Sequence, residues 1–155
     1  MKTLHSAGEL LAALDLKPGA WAATDADGTL WAADVAELCW DRVLSEGLMR
    51  SAAAAPMAAE LTQAGGTSSG DVHDDARALF ELYASGRTGD IPILKAMAFC
   101  YAGWSEPELR AFASELAQKE LAPHVYATTR ELLRGLIESG VRLAVVSGSP
   151  QVVVE

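Results

Sequence analysis

Cysteine is scarce in this chain of 155 residues: Cys39 and Cys100 are its only two, and neither lies in a CxxC or histidine-rich spacing. That excludes a disulfide framework and leaves both side chains as small buried hydrophobes of a reducing compartment. Basic residues are also few, with 12 Lys and Arg against 21 Asp and Glu, a net charge of −9 and no cluster of cations. A basic face for nucleic acid or an anionic membrane is therefore excluded, and an anionic substrate has to be held locally, by backbone donors or a metal ion. Long apolar runs are missing too. The alanine-rich stretch 51–60 is broken by Pro56, and residues 1–16 carry Glu9 and Asp15 among their leucines without the basic-then-apolar order of a secretory leader. No membrane partner is expected, and the cytoplasm is the expected location. The histidines, His5, His73 and His124, fall into no ligand spacing and are read as surface or internally satisfied side chains.

What is present is a folding composition. Half the residues are hydrophobic, 21% are charged and the mean hydropathy is +0.15, which suits one domain with a sizeable core and excludes a mainly disordered chain. Leu4, Leu10, Leu11 and Leu14 have helical spacing, ended by Lys17-Pro18-Gly19. Residues 20–24 are a short apolar run ending at Asp25, read as a buried strand. From Asp34 the period becomes helical again, with Val35, Leu38, Cys39 and Val43 on one face. After a loop at 63–70, flexible by composition, three stripes mark helices: Ala76, Leu79, Phe80 and Tyr83; Ile93, Leu94, Met97 and Tyr101; Leu109, Phe112, Ala113 and Leu116, the last opened by the capping box Ser105-x-x-Glu108. A second box, Thr128-x-x-Glu131, opens a helix through Leu132, Leu133, Leu136 and Ile137 that stops at Gly140. Residues 141–146 then read as a strand, followed by Ser147-Gly148-Ser149-Pro150, where Ser149 as N-cap and Pro150 at the first helical position open one more helix.

Two strands separated by a mostly helical stretch, each ending in a polar loop, predict an α/β protein with a parallel sheet and a large helical insertion. The first loop holds the strongest chemical signal, Asp25-Ala26-Asp27-Gly28-Thr29-Leu30. On an extended backbone residues i and i+2 face the same way, so both carboxylates look into the crevice beyond the strand end, where open α/β sheets bind ligands. Their mutual repulsion is relieved by a divalent cation, and hard oxygen donors suit Mg²⁺. Asp-x-Asp-Gly also occurs as plain turn residues. A calcium loop of the EF-hand type fails on count, because Leu30 stands where glycine and Ala36 where glutamate would be required. A glycosidase pair comes from separated elements rather than two residues apart.

The run from Asp25 to Leu30 resembles the first motif of the haloacid dehalogenase (HAD) superfamily, and Val145-Val146-Ser147-Gly148-Ser149 resembles its second, in the right order. The mostly helical stretch between them is similar to the cap inserted after the first strand in the phosphoserine-phosphatase-like branch. The resemblance covers nearly all of the chain after the leading helix. It implies a Rossmannoid core made of residues 1–32 and 127–155, of which only the N-terminal part is present, and a helical cap at 33–126. It further implies a phosphatase acting on a small phosphomonoester: Asp25 as nucleophile, Asp27 as acid and then base, Mg²⁺ held by the Asp25 carboxylate and the Asp27 main-chain carbonyl, Thr29 orienting the acidic pair, and Ser147 and Gly148 holding a phosphate oxygen.

The second aspartate separates phosphoryl transfer from dehalogenation, in which halide leaves without a proton. Asp34 matches by offset a cap carboxylate that contacts substrate, although a helix N-cap explains it equally. Arg87 reads as a solvated loop residue, and Asp74-Asp75 as a solvated helix start. The superfamily's lysine and second acidic pair follow the second motif, and only six residues follow Ser149. The expectation is therefore an apparently truncated chain that binds Mg²⁺ weakly and turns over slowly or not at all by itself. Two other readings stay open: an inactive truncated module that binds a partner through an exposed strand edge, and a phosphotransferase with the same motifs. The oligomeric state is not legible.

Overall fold

A computed structural model describes residues 6–154. Leu4 and His5, assigned above to the leading helix and to a non-ligating side chain, and Glu155 at the end of the expected last helix lie outside the described residues. The fold is of the mixed α/β class expected. In chain order the regular elements are α1 (Ala7–Leu14), β1 (Trp21–Thr24), α2 (Val35–Ser45), α3 (Ala54–Gln63), α4 (Val72–Ala84), α5 (Asp90–Phe99), α6 (Glu106–Leu116), α7 (Ala127–Glu138), β2 (Arg142–Val145) and α8 (Gln151–Val154). No helix among the described residues is long and apolar enough to cross a membrane. The chain divides into two compact units, one built from residues up to Val35 with those from Ser114 onward, the other Ala36–Ala113.

In the first unit β1 and β2 pair in parallel, Trp21 opposite Arg142 through Thr24 opposite Val145. The ladder runs one bond further, the Val146 N–H donating to the Thr24 carbonyl at 2.9 Å. Ser6 caps α1 by accepting the Glu9 N–H at 3.2 Å. Gly135 lets α1 come close to α7, since a Cβ there would collide with Leu11 Cδ1. α7 begins one residue before the expected box: Tyr126 is its N-cap, and Thr128 lies inside its first turn. The override is tertiary, because the Tyr126 N–H is taken by the Leu30 carbonyl at 3.0 Å and Thr129 Oγ1 donates to the Thr29 carbonyl at 3.2 Å.

The second unit packs α3, α4 and α5 against one another. Its core includes Trp40, Val43, Met57, Leu61, Leu79, Ile93 and both cysteines, which are free thiols. Burial pushes the Cys100 thiol up to about 12, which keeps it protonated and unreactive. Pro56 does not break the alanine-rich stretch. A 3₁₀ turn at Ser51–Ala53 leads into α3, where Pro56 falls in the first turn, and the N–H that proline lacks has no intrahelical partner there. In α5 the buried residues are Ile93 and Ala96, with Cys100 buried at the cap, while Leu94 of the expected stripe is exposed. His73 is neither a surface nor a satisfied side chain: its buried Nε2 finds no partner among the described residues.

Two local corrections concern carboxylates. Asp74 is exposed as expected, but Asp75 is buried and fastens the loop that composition reads as flexible, accepting Ser68 Oγ at 2.5 Å, the Ser69 N–H at 2.7 Å and Ser69 Oγ at 3.0 Å. The first capping box forms its return half, with Glu108 accepting the Ser105 N–H at 2.8 Å, and Arg50 joins it at 2.6 Å while also donating to the Gly103 carbonyl. The Arg50 guanidinium, followed by the Ser105 donors, holds the Glu108 carboxyl down to about 2. A depressed carboxylate stabilises the fold fully above its unfolded value of 4.5 and loses that contribution as pH falls through about 2. Glu108→Gln is expected to flatten this part of the acid limb in a plot of melting temperature against pH. An unchanged slope between pH 4.5 and 2 would rule out the contribution.

Candidate active site

Parallel pairing in register brings the two motif loops out of the sheet at the same end. β1 stops at Thr24 and β2 at Val145, which are partners, so Asp25 and Ser147 leave adjacent strand ends. The turn that follows is tight, with the Thr29 and Leu30 N–H groups both donating to the Ala26 carbonyl, at 3.1 and 2.7 Å. It requires Gly28 at φ 69°, a left-handed conformation that side chains with a Cβ rarely adopt.

Asp25 is exposed at the strand end, its Oδ1 accepting the Ala26 N–H at 2.7 Å. Asp27 is half-buried and held from three directions. Its Oδ1 accepts the Trp31 indole N–H at 2.7 Å and the Val35 N–H at 3.2 Å, and its Oδ2 accepts the Ser149 hydroxyl from the second loop. Ser149 in turn donates its N–H to Ser147 Oγ at 3.1 Å. The two motifs, 122 residues apart in sequence, thus share one hydrogen-bonded chain from Trp31 through Asp27 and Ser149 to Ser147. Beside it lies an open cavity of about 400 Å³ lined by Val145, Ser147, Ser149, Gln151 and Val154.

The profile of one protein family, haloacid dehalogenase-like hydrolase, matches residues 22–155, a span that contains both loops. The chain belongs to the haloacid dehalogenase-like hydrolases. No curated protein and no solved structure matches it significantly. As a member of this family the chain is a hydrolase by descent.

Of the residues singled out in the sequence, Asp25 and Asp27 lie on the loop after β1 and Ser147 on the loop after β2, at adjacent strand ends, with Gly148 exposed beside Ser147. Thr29 is in the same turn, yet its side chain makes no hydrogen bond to either aspartate; orientation of Asp27 falls instead to Trp31, Val35 and Ser149. Asp34 is exposed and directly precedes Val35, whose N–H reaches Asp27. Ser149 spends its hydroxyl on Asp27 rather than only marking the start of α8. Trp31 and Ser149 are the residues sequence reasoning missed. A polar indole immediately after the motif was the available signal for the first; for the second there was none, because an N-cap serine and a carboxylate-binding serine look alike in sequence. Arg87 lies exposed in the loop after α4, as expected.

Proposed function

We propose that the chain is a phosphatase of the phosphoserine-phosphatase-like branch, hydrolysing a small phosphomonoester through an aspartyl-phosphate. The observation that carries this reading is the Ser149 to Asp27 hydrogen bond, which ties the acidic loop to the serine loop at adjoining carboxyl ends of parallel strands. An Asp25 carboxylate oxygen attacks phosphorus while the bond from phosphorus to the ester oxygen breaks, and Asp27 gives that oxygen its proton, so that an alcohol departs. Water then attacks phosphorus, Asp27 takes its proton, and inorganic phosphate leaves with the Asp25 carboxylate restored. Ser147 through its hydroxyl and Gly148 through its N–H hold a phosphate oxygen, Thr29 shapes the turn between the aspartates and Trp31, and Asp34 faces the substrate's remainder.

The donor set suits Mg²⁺ in kind. The Asp25 carboxylate and the Asp27 main-chain carbonyl are hard oxygens, and Mg²⁺ is commonly held by one or two carboxylates together with waters and substrate phosphate. When bound, the ion offsets charge between the carboxylate and the phosphate. No group of at least three His, Cys, Asp or Glu side chains gathers among the described residues, so affinity is expected to be weak and turnover slow. The test is release of inorganic phosphate from aryl phosphate, phosphoserine and glycerol phosphate, with Mg²⁺ and with EDTA. Release that EDTA stops and added Mg²⁺ restores is the expected result; no release from any phosphomonoester, with the chain folded and Mg²⁺ in excess, would overturn the reading.

A further inference from the structure

Trp31 is fixed before it touches anything polar. It is 8% exposed, and the chain on either side of it is pinned to one segment, the Ala32 N–H donating to the His124 carbonyl at 2.9 Å and the Tyr126 N–H to the Leu30 carbonyl at 3.0 Å. From that anchored position its indole N–H points back to Asp27 Oδ1 at 2.7 Å. Ser149 holds the other oxygen, and it belongs to the loop that carries Ser147.

We infer that Trp31 and Ser149 are positioning residues, clamping Asp27 from opposite oxygens so that its carboxyl stays aimed at the ester oxygen that leaves, with Ser149 keeping that aim in step with the phosphate-holding loop. The inference rests on the reading of Asp27 as the proton donor. A carboxyl group at the end of a rotatable side chain is a good proton donor only when its direction is set, and a buried indole on an anchored backbone sets it at little entropic cost. A main-chain donor alone, such as the Val35 N–H at 3.2 Å, leaves the second oxygen free to swing.

The experiment uses two substrates that differ in how much they need the proton. A nitrophenolate leaves without help, whereas an alkoxide does not. In Trp31→Phe and Ser149→Ala, the rate of the first, single-turnover release of alcohol is expected to fall by roughly 10- to 100-fold for glycerol phosphate and by less than about threefold for nitrophenyl phosphate, and KM to stay within about twofold. This step is read because the later hydrolysis of the aspartyl-phosphate uses Asp27 equally for both. Ser149→Thr is expected to restore glycerol phosphate hydrolysis. Equal losses on both substrates would mean a structural role and overturn the inference. The contact has its own readout, independent of turnover: among the indole N–H signals of the four tryptophans, the one that Trp31→Phe removes is expected to move in Asp27→Asn, and an unmoved signal would also overturn the inference. If the wild-type chain hydrolyses neither ester, the phosphatase reading fails, and the indole signal alone then decides whether Trp31 holds Asp27. Should Trp31→Phe not fold, Ser149→Ala carries the kinetic comparison.

Discussion

Asp25→Asn is expected to remove phosphate release altogether, by a factor of at least about 10³ relative to the wild-type chain, with melting temperature unchanged. The side chain is exposed at the end of β1, so little packing depends on it. Asparagine keeps its shape, and an amide oxygen still accepts the Ala26 N–H that now bonds Oδ1. What disappears is the anionic oxygen that attacks phosphorus, and an uncharged amide offers no comparable nucleophile. A residue that only bound metal would behave differently, since raising Mg²⁺ would recover part of the rate. The decisive companion measurement is chemical trapping: wild-type chain quenched during turnover is expected to carry a reducible acyl phosphate at Asp25, and Asp25→Asn none. Retention of more than about a tenth of the rate in the variant, or a trapped phosphate elsewhere, would remove Asp25 from the nucleophile's place.

The same residues show how far a sequence carries. The acidic loop was legible because its information is contiguous: an apolar run long enough for a strand, two carboxylates with the period of an extended chain, then a glycine where the backbone turns left-handed at φ 69°. The strands came out within a residue of their observed ends, and α4 and α6 were marked by stripes of buried and half-buried residues, although the α4 stripe left out the buried Leu82. α5 was harder. It is apolar on more than one face, with Ile91 and Leu94 exposed beside buried Ile93 and Ala96, so a stripe drawn from hydrophobicity alone took in an exposed leucine. The start of α7 was misplaced because the capping box competes with bonds from residues 29 and 30, about a hundred positions earlier in the chain. Ser149 lies beyond such reasoning for a related cause, and Trp31 offered only its place directly after the motif. Each meets one oxygen atom of Asp27, Trp31 at Oδ1 and Ser149 at Oδ2, and which side chain reaches which oxygen is decided by loop geometry.

Two neighbouring aspartates supply the second large effect. Asp75→Ala is expected to destabilise the Ala36–Ala113 unit by about 2–4 kcal/mol, and Asp74→Ala by less than about 1 kcal/mol, although the residues are adjacent in the first turn of α4. Asp74 is exposed and pairs with Arg77 at 3.0 Å, an arrangement water and salt replace easily. Asp75 is 2% exposed, and its oxygens collect the Ser68 hydroxyl and both donors of Ser69. Removing it leaves the Ser68 hydroxyl and the Ser69 N–H without this acceptor, with only the longer bond to the Asp71 carbonyl remaining for the Ser69 hydroxyl, and frees the loop across residues 66–70 from α4. Burial works against the charge here, yet the serine donors together outweigh it and hold the Asp75 carboxyl below its ordinary value. The sign follows: its contribution is present above the unfolded carboxylate value and is lost as pH falls through the lower folded one. Asp75→Asn, which keeps the volume and one acceptor oxygen, is expected to fall between the two alanine variants, with less acid sensitivity than wild type. Urea unfolding measures the ranking, and amide exchange at Ser69, whose N–H donates to Asp75 directly, reports the loop itself. Equal destabilisation by the two alanine variants, or a Ser69 amide that exchanges no faster in Asp75→Ala, would mean that the buried carboxylate is not what fastens this loop.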